Sequence, residues 1–323
     1  MAEDAASLAA VRRAHARAMV ALATGAEDGD PRLADAFAAV PREAFLGPPP
    51  WTIQQPGLGG RGAEVSDPAL LCADVLVVLD AARGANNGSP SFHALLLHRL
   101  CVREGDRVAH LGAGTGYYTA ILARLAGPTG RVLAVEADPA LARAARDNLA
   151  PYPTVEVVEG DAARHPAGEA DRLYVNFGVG RPAARWVEAL APRGGRLVLP
   201  LGPSFATGPG RAGASRFVRG GAFLFERTGE DATHLAAAWL SFVAIIAATG
   251  DLATDGGDER AEALGKAVSH TGGAEFVRGL RWGALGPPER CAFWSPGWSL
   301  TYDPPPPGGA QTTKTTSPEP DRS

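Results

Sequence analysis

Short apolar runs alternate with helix-like stretches through the middle of the chain. Most runs are rich in valine and leucine, and turn residues or stretches with helical spacing separate them. In chain order from Arg107 they are RVAHL, RVLAVE, TVEVVEGD, DRLYVNFG and GRLVLPLG. Strands that alternate with helices are typical of a parallel sheet covered by helices on both faces. We therefore predict an α/β fold over residues 65–203, with a doubly wound, mostly parallel, Rossmann-like sheet.

Two helices are predicted before this sheet. The second opens at Asp30–Pro31, a capping residue followed by a proline suited to the first helical turn. Gly47–Pro50 ends this unit, and the glycine-rich stretch 55–64 is predicted to be an irregular loop. Residues 1–64 are thus predicted to form a helical cap and loop. The apolar face predicted for the first helix consists of Leu8, Val11, Ala18, Met19 and Leu22.

The alternation stops after Pro203. The runs FLFER and WLSFVAII and the stretch 282–298 predict strands of a mixed or antiparallel extension, with one more helix near residues 260–267. Residues 204–303 are therefore predicted to be an α+β extension and a candidate acceptor lobe. The last stretch, 304–323, lacks apolar periodicity and is rich in proline, glycine, serine and threonine, so we predict a disordered tail.

Composition narrows the class of protein. The chain has 323 residues, 46% of them hydrophobic, and a net charge of -4, so it has no basic stripe suited to nucleic acid. No apolar run reaches the roughly 20 residues that a membrane span needs, and the start of the chain does not resemble a signal peptide. These features predict a cytoplasmic protein without nucleic-acid or membrane partners. The three cysteines are far apart and are predicted to be reduced core residues, without metal-ligand spacing.

A glycine turn directly follows the run RVAHL. Gly112, Gly114 and Gly116 are separated by single residues and precede a predicted helix, YYTAILARLAG. Glycines let the backbone approach a ligand closely, and the N–H groups of the following helix favour an anionic group there. Such turns also serve phosphates or simple packing. A nicotinamide cofactor is the specific rival, but its fingerprint requires Gly or Ala where this chain has Tyr117.

Two acids end the next two strands and strengthen the interpretation as a cofactor site. Glu136 lies where a carboxylate can accept hydrogen bonds from the hydroxyls of a ribose. Asp161, followed by Ala162, lies where it can accept one from an exocyclic adenine amine. Asp138, by contrast, is predicted to cap the next helix. Together with the glycine turn, the two acids favour S-adenosylmethionine as the cofactor.

Six segments resemble the protein-L-isoaspartate O-methyltransferase family, and the similarity runs from the N-terminal helices to about Gly202. They are VPREAFLG, SPSFHA, HLGAGTGYYTA, VEADPALARAARDNL, EGDA and LAPRGGRLVLPLG. The resemblance implies a doubly wound fold that binds S-adenosylmethionine, and esterification of the carboxylate of isomerised aspartate in proteins or peptides. It places the cofactor turn and the two acids on the residues named above. It also implies a cofactor loop at Asn87, Gly88, Ser89 and His93.

The chain departs from this family at two positions near the implied site. Gly88 stands where the family has a serine regarded as important for catalysis, and Ser89 is displaced by one residue. His110 stands where the family usually has an acidic residue; it can hydrogen-bond the methionine part of the cofactor or simply end the strand. His93 can likewise orient the cofactor or pack within its helix. A further difference is the tryptophan-containing C-terminal segment, where the aromatic rings can line an acceptor pocket or form core.

A carboxylate acceptor is already ionised at pH 7 and needs no strong general base. It does need hydrogen-bond donors, and the candidates are Ser89, Asn87 and Asn176, with Ser89 and Asn176 predicted as catalytic residues. Two other hypotheses remain open: a small molecule or modified biosynthetic peptide as acceptor, and a binding module without turnover. No clustered Asp, Asn or His set predicts a metal.

Overall fold

The computed structural model describes residues 2–25, 29–55, 62–207, 215–249, 252, 259–269, 272–283 and 289–306. The predicted disorder of the tail falls, from residue 307 onward, outside these residues. The α-helices are α1 (Ala2–Thr24), α2 (Pro31–Ala39), α3 (Pro90–Leu100), α4 (Tyr117–Ala126), α5 (Pro139–Leu149), α6 (Ala184–Glu188) and α7 (Glu259–Ala267).

The strands comprise an N-terminal set, a central set and a C-terminal set. The N-terminal set is β1 (Trp51–Gln54), β2 (Ala63–Val65), β3 (Leu76–Asp80) and β4 (Ala85–Asn86). The central set is β5 (Arg107–Leu111), β6 (Arg131–Glu136), β7 (Val155–Glu159), β8 (Arg172–Val175) and β9 (Gly195–Leu201). The C-terminal set is β10 (Ser204–Thr207), β11 (Ser215–Arg227), β12 (His234–Ile246), β13 (Gly279–Trp282), β14 (Cys291–Ser295) and β15 (Trp298–Thr301).

The central strands form the predicted parallel, doubly wound sheet. Their spatial order is β7-β6-β5-β8-β9, with parallel pairing throughout. Helices cover both faces, because successive strand residues point to opposite sides. In β8, Leu173 and Val175 join the core under α6 and α7, whereas Tyr174 joins the core under α1 to α5. The predicted fold class is therefore confirmed.

The strands after Pro203 extend the same sheet. β11 pairs antiparallel with β9, and β12, β13, β15 and β14 follow in that order, so that the described residues form an 11-stranded sheet. The predicted strands and the helix near residues 260–267 are all present. Trp298 is buried in the core, whereas Trp294 is exposed. The ring of Trp298 therefore belongs to the core, whereas the ring of Trp294 does not.

Three details of the sequence-based predictions are wrong. Leu22, placed on the apolar face of α1, is 84% exposed; Ala16 and Val20 are buried instead, because the helix is rotated to pack through smaller side chains. The stretch 55–64 is not wholly a loop, because residues 63–65 form β2. This strand pairs with β1 in a separate sheet of order β2-β1-β3-β4. Residues 56–61 of the stretch lie outside the described part of the chain. Cys101, predicted to be a core residue, is exposed at the end of α3.

Candidate active site

The central sheet reverses its winding between β5 and β8. From β5 the chain continues to β6 and β7 on one side and then returns to β8 on the other. Ligands of doubly wound sheets bind in the crevice at the carboxyl ends of the strands at this switch point. The glycine turn follows β5, and Asn176 follows β8, with its Nδ2 3.4 Å from the carbonyl oxygen of Gly112. The predicted turn and Asn176 therefore meet at the switch point.

The three glycines of the turn have positive φ but different reasons to lack a side chain. A Cβ at Gly112 would lie 2.7 Å from Phe177 Cδ1, and one at Gly116 would lie 2.7 Å from Leu149 Cδ1. At Gly114, where φ is +58°, a Cβ would meet nothing within 4 Å. Gly112 and Gly116 are thus required by packing, whereas Gly114 borders open space that a ligand can approach.

Glu136, at the end of β6, is hydrogen-bonded to the glycine turn that follows β5. Its Oε2 accepts a hydrogen bond from the Gly114 N–H at 2.7 Å, and its Oε1 accepts one from the Asp138 N–H at 3.0 Å. Burial raises the pKa of the Glu136 carboxyl, and the Gly114 N–H partly offsets that rise. Each carboxylate oxygen still has an acceptor lone pair for a hydroxyl group. Asp138 caps α5 as predicted, through the N–H groups of Ala140 and Leu141.

Asp161 follows β7, the next strand along this edge. Its Oδ1 accepts a hydrogen bond from the Ala163 N–H at 2.9 Å and so caps a short 3₁₀ helix at 162–164. Ala162 is buried and accepts a hydrogen bond from the indole of Trp186 at 2.9 Å. The turn, Glu136 and Asp161 thus end three adjacent parallel strands, as the sequence predicted.

Arg42 is a residue of this region that the sequence analysis did not single out. Its side chain is 3% exposed, and its guanidinium donates to Oδ1 of Asn87 at 2.8 Å and to the carbonyl oxygen of Gly88 at 2.8 Å. It also donates to the carbonyl oxygens of Val75 and Leu71. Arg42 thus fixes the Asn87–Ser89 loop onto the N-terminal unit. One sequence signal could have identified Arg42: it lies within VPREAFLG, one of the six segments that resemble the family.

The Ser89 hydroxyl is held by neighbours within the described residues. It donates to Oδ1 of Asp74 at 2.7 Å, lies 3.1 Å from the Ser91 hydroxyl, and caps α3 by accepting from the Phe92 N–H at 3.4 Å. A serine has a single O–H to donate. In this arrangement that hydrogen is used on Asp74, so Ser89 serves as a helix cap that also anchors the loop.

His93 lies in the first turns of α3 and is 2% exposed. Its Nδ1 is 2.5 Å from the Tyr174 hydroxyl, and its ring stacks on Tyr118 with the ring centroids 3.6 Å apart. Burial, together with the charge of Arg42 and the nearby His110, holds its pKa well below the usual value. Gly88 has a φ of +67°, and a Cβ there would overlap Nε2 of His93. The glycine at position 88 and the histidine at position 93 are therefore sterically coupled.

His110 is fully buried on the same face of the sheet. Its Nδ1 is 2.8 Å from the Thr119 hydroxyl, and its ring lies against Tyr174 with the centroids 5.2 Å apart. Burial lowers the pKa of His110 to about 3, so the ring is neutral at pH 7. Its Nε2 has no hydrogen-bond partner among the described residues. The same holds for the buried hydroxyls of Thr115 and Tyr118, beside the glycine turn.

The part of the chain that the structure describes contains no helix that is long and apolar enough to cross a membrane. Across those same residues, no group of three or more His, Cys, Asp or Glu side chains is placed to hold a metal ion.

Comparisons with known proteins place the chain in a family. Its residues 21–208 match the model of the family described as protein-L-isoaspartate(D-aspartate) O-methyltransferase. A protein-L-isoaspartate O-methyltransferase of Methylorubrum populi is 31% identical over 202 residues, which cover 61% of this chain and 81% of that protein.

Other similarities are shorter or structural. Protein-L-isoaspartate O-methyltransferase 2 of Archaeoglobus fulgidus is 37% identical over 125 residues, which cover 38% of this chain and 57% of that protein, less than two thirds of its length. A solved structure titled protein-L-isoaspartate O-methyltransferase superposes with a TM-score of 0.58 at 23% identity, covering 75% of this chain and 67% of that one. The family match covers more than half of the chain, and the chain belongs to the protein-L-isoaspartate(D-aspartate) O-methyltransferase family.

Proposed function

We propose that the chain is an S-adenosylmethionine-dependent carboxyl O-methyltransferase that esterifies an aspartyl or isoaspartyl carboxylate of a protein or peptide. The observation that carries the proposal is the arrangement at the switch point. The open turn at Gly114, the Glu136 carboxylate and Asp161 end three adjacent parallel strands in a chain of this family. A nucleoside with a charged amino-acid end fits this order of groups.

The residues present fit this cofactor. The open space at Gly114 leaves room for close approach of the ligand, and the buried Thr115 hydroxyl has no protein partner within the described residues. Glu136 would hold the ribose and Asp161 the adenine amine, with Ala162 beside it. Asn87, Gly88, Ser89, His93 and His110 are proposed to shape the methionine side. When bound, S-adenosylmethionine supplies a methyl group on a positively charged sulfur.

The chain itself has to align the acceptor and exclude water. Displacement at the methyl carbon requires the acceptor oxygen in line with the bond that breaks, so positioning contributes most. We propose Asn176 as a catalytic residue that donates to the acceptor carboxylate, because its amide lies across the switch point from the turn. Ser89, whose hydrogen is used on Asp74, is proposed to support the loop rather than the acceptor.

A different acceptor is the second candidate. Gly88 has no side chain to offer, and the steric contact with His93 prevents one. The antiparallel strands β11 to β15 extend the sheet and lie after the matched family segment, which ends at residue 208. These two observations favour a small molecule or a modified biosynthetic peptide as acceptor, with the cofactor unchanged.

Methyl transfer to matched peptides tests the proposal. Purified protein would be incubated with labelled S-adenosylmethionine and an isoaspartyl peptide, beside the same peptide with ordinary aspartate. Base-labile label on either peptide, with the isoaspartyl form preferred, is the expected result. Cofactor binding without label on either peptide would reject the peptide acceptor, and a screen of small carboxylic acids would then separate the second candidate from a binding module without turnover.

A further inference from the structure

Strand β12 has an open edge along most of its length. On one side, residues 236–246 pair with β11, but on the other side β13 pairs only with residues 234–236. The Ala237 N–H makes one further bond, to the residue before β13. Beyond it, no backbone hydrogen bond among the described residues reaches the outer side of residues 238–245. An edge of this kind is a template on which another extended chain can pair.

Phe242 and Ala244 direct their backbone N–H and C=O groups to this open side. The carbonyl oxygen of Ile246 accepts a hydrogen bond from the Gly178 N–H at 2.8 Å, on the side away from β11. Residues of an antiparallel strand alternate between the two sides, and the register is continuous from 241 to 246, so residues 242 and 244 share the outward direction of Ile246. The Phe242 carbonyl oxygen meets only the Ser241 hydroxyl, at 3.0 Å, in the part of the chain described. These backbone groups are therefore available to a partner chain.

The open edge leads to the proposed acceptor position. β9 and β12 are both antiparallel to β11, so they run in the same direction, and Ile246 lies at the edge of the sheet where the parallel strands end. Gly178, which binds Ile246, is two residues past Asn176, the proposed donor to the acceptor carboxylate. A peptide strand paired with residues 238–245 would therefore reach the crevice at one of its ends.

The side chains along this edge are apolar. Residues 235–249 contain no charged residue and no proline. Natural proteins commonly place such residues on exposed edge strands to prevent pairing with other chains. Phe242 is 51% exposed, and Ala244 is exposed as well. This edge therefore favours a partner that covers it.

A positive charge lies next to the edge. Arg219 is the cross-strand partner of Ala244, so the two side chains lie on the same face of the sheet. Its guanidinium lies over the ring of Phe205, 4.9 Å from the centroid, and forms no ion pair with any residue that the structure describes. Charge complementarity therefore favours a peptide with carboxylates, as an aspartyl or isoaspartyl acceptor has.

We propose that the open edge of β12, residues 238–245, binds the acceptor peptide as an added β-strand, with backbone hydrogen bonds to Phe242 and Ala244 and with Arg219 beside its carboxylates. Pairing through the backbone selects an extended peptide over a small molecule. The inference rests on the proposed function, and it adds the place where the chain that flanks the acceptor residue is held.

Two substitutions on β12 test the edge, with an isoaspartyl peptide as the probe. Phe242→Lys places a charge on the edge, and Ala244→Pro removes an outward N–H while keeping the bonds to β11. Trp294→Lys is the matched control, because Trp294 is a 40% exposed aromatic residue on β14, at the far end of the same sheet. Circular dichroism and calorimetric binding of S-adenosylhomocysteine would show that each variant is folded.

The KM and the dissociation constant of the peptide should rise about tenfold in Phe242→Lys and Ala244→Pro, because contacts outside the crevice are lost. The kcat should change less than threefold. Trp294→Lys should leave all three constants unchanged. Unchanged peptide affinity in the folded edge variants would overturn the proposal. So would a wild-type dimer that Phe242→Lys converts to a monomer in sedimentation, since the edge would then hold a second copy of the chain.

N-methylated peptides separate backbone pairing from side-chain recognition. Every second amide of a peptide strand faces its partner, so N-methyl groups on one alternating set of residues beside the isoaspartyl residue should abolish binding, and those on the other set should not. Equal effects of the two sets would contradict pairing with β12.

The inference and the proposed function fail in different ways, because peptide binding needs no turnover. A peptide that binds through the β12 edge but receives no methyl group would reject the proposed function and retain the edge as a docking site. A peptide that is methylated with an unchanged KM in both edge variants would retain the function and reject the edge. Absence of peptide binding by the wild type would reject the edge as well, whatever the acceptor.

Discussion

The Oε2 atom of Glu136 lies 2.7 Å from the backbone nitrogen of Gly114 and accepts its hydrogen bond. This contact joins the ends of two parallel strands at the point where the sheet leaves room for a ligand. Glu136 therefore has a structural task in addition to its proposed role with the ribose. Variants that test the two tasks must keep the side-chain shape, which makes Glu136→Gln more informative than a truncation.

Stability should fall in acid because His110 is buried in its neutral form. Its folded-state pKa of about 3 lies below the unfolded value of 6.5, so the unfolded chain binds the proton first as the pH falls. The contribution is complete above about pH 6.5 and declines as the pH falls toward 3. Between pH 7.5 and pH 5 it amounts to about 2 kcal/mol.

Urea unfolding of the wild type and of His110→Gln at these two pH values measures this effect. The free energy of unfolding of the wild type should fall more steeply than that of the variant, by about 2 kcal/mol. His93, whose pKa is lowered chiefly by burial, adds to the decline in both proteins. Equal pH dependence in the two proteins would show that His110 is not buried as described.

Restoring a side chain at position 88 should destabilise the protein. Gly88→Ser meets both the positive φ and the overlap with His93 Nε2, for an expected loss of about 2 to 4 kcal/mol. The double variant Gly88→Ser/His93→Ala removes the overlap but keeps the backbone strain. Thermal unfolding of the two single variants and the double variant should show favourable coupling between the substitutions, whereas strict additivity would refute the steric link.

Ser89→Ala should affect stability more than turnover. The variant loses a helix cap and the hydrogen bond to Asp74, with an expected cost of about 1 kcal/mol. If Ser89 supports the loop, kcat for the accepted substrate falls less than threefold at a temperature where the variant is folded. A drop in kcat of a hundredfold or more, without a matching loss of stability, would restore Ser89 as a catalytic residue.

The central fold and the cofactor turn could be predicted from sequence because their signals are local. A strand, a glycine turn and a helix occupy 20 consecutive residues. Asp30 and Asp138 each mark the start of a helix, because each is a capping residue directly followed by a proline. The contact between His93 and Tyr174 joins residues 81 apart, and Arg42 reaches Asn87 across 45 residues. Such pairs depend on how the elements pack, which a periodicity does not show.

The full extent of the sheet could not be predicted from the sequence for the same reason. The sequence predicted the strands after Pro203, but the pairing of β11 with β9 depends on register between distant segments. The exposure of Leu22 likewise follows from how α1 packs on its neighbours, since a shift of one position along the helix turns its face by about 100°.

Binding of S-adenosylhomocysteine tests the central claim, that the switch point between β5 and β8 is a cofactor site. Calorimetry would compare the wild type with Gly114→Arg, whose side chain enters the open space at the turn. Gly25→Arg is the control, since Gly25 also has positive φ and open surroundings but follows α1. Glu136→Gln would be measured in parallel. We predict one-to-one binding by the wild type and Gly25→Arg, about tenfold weaker binding by Glu136→Gln, and none by Gly114→Arg. Absence of binding by the wild type, or undiminished binding by a folded Gly114→Arg variant, would contradict the account.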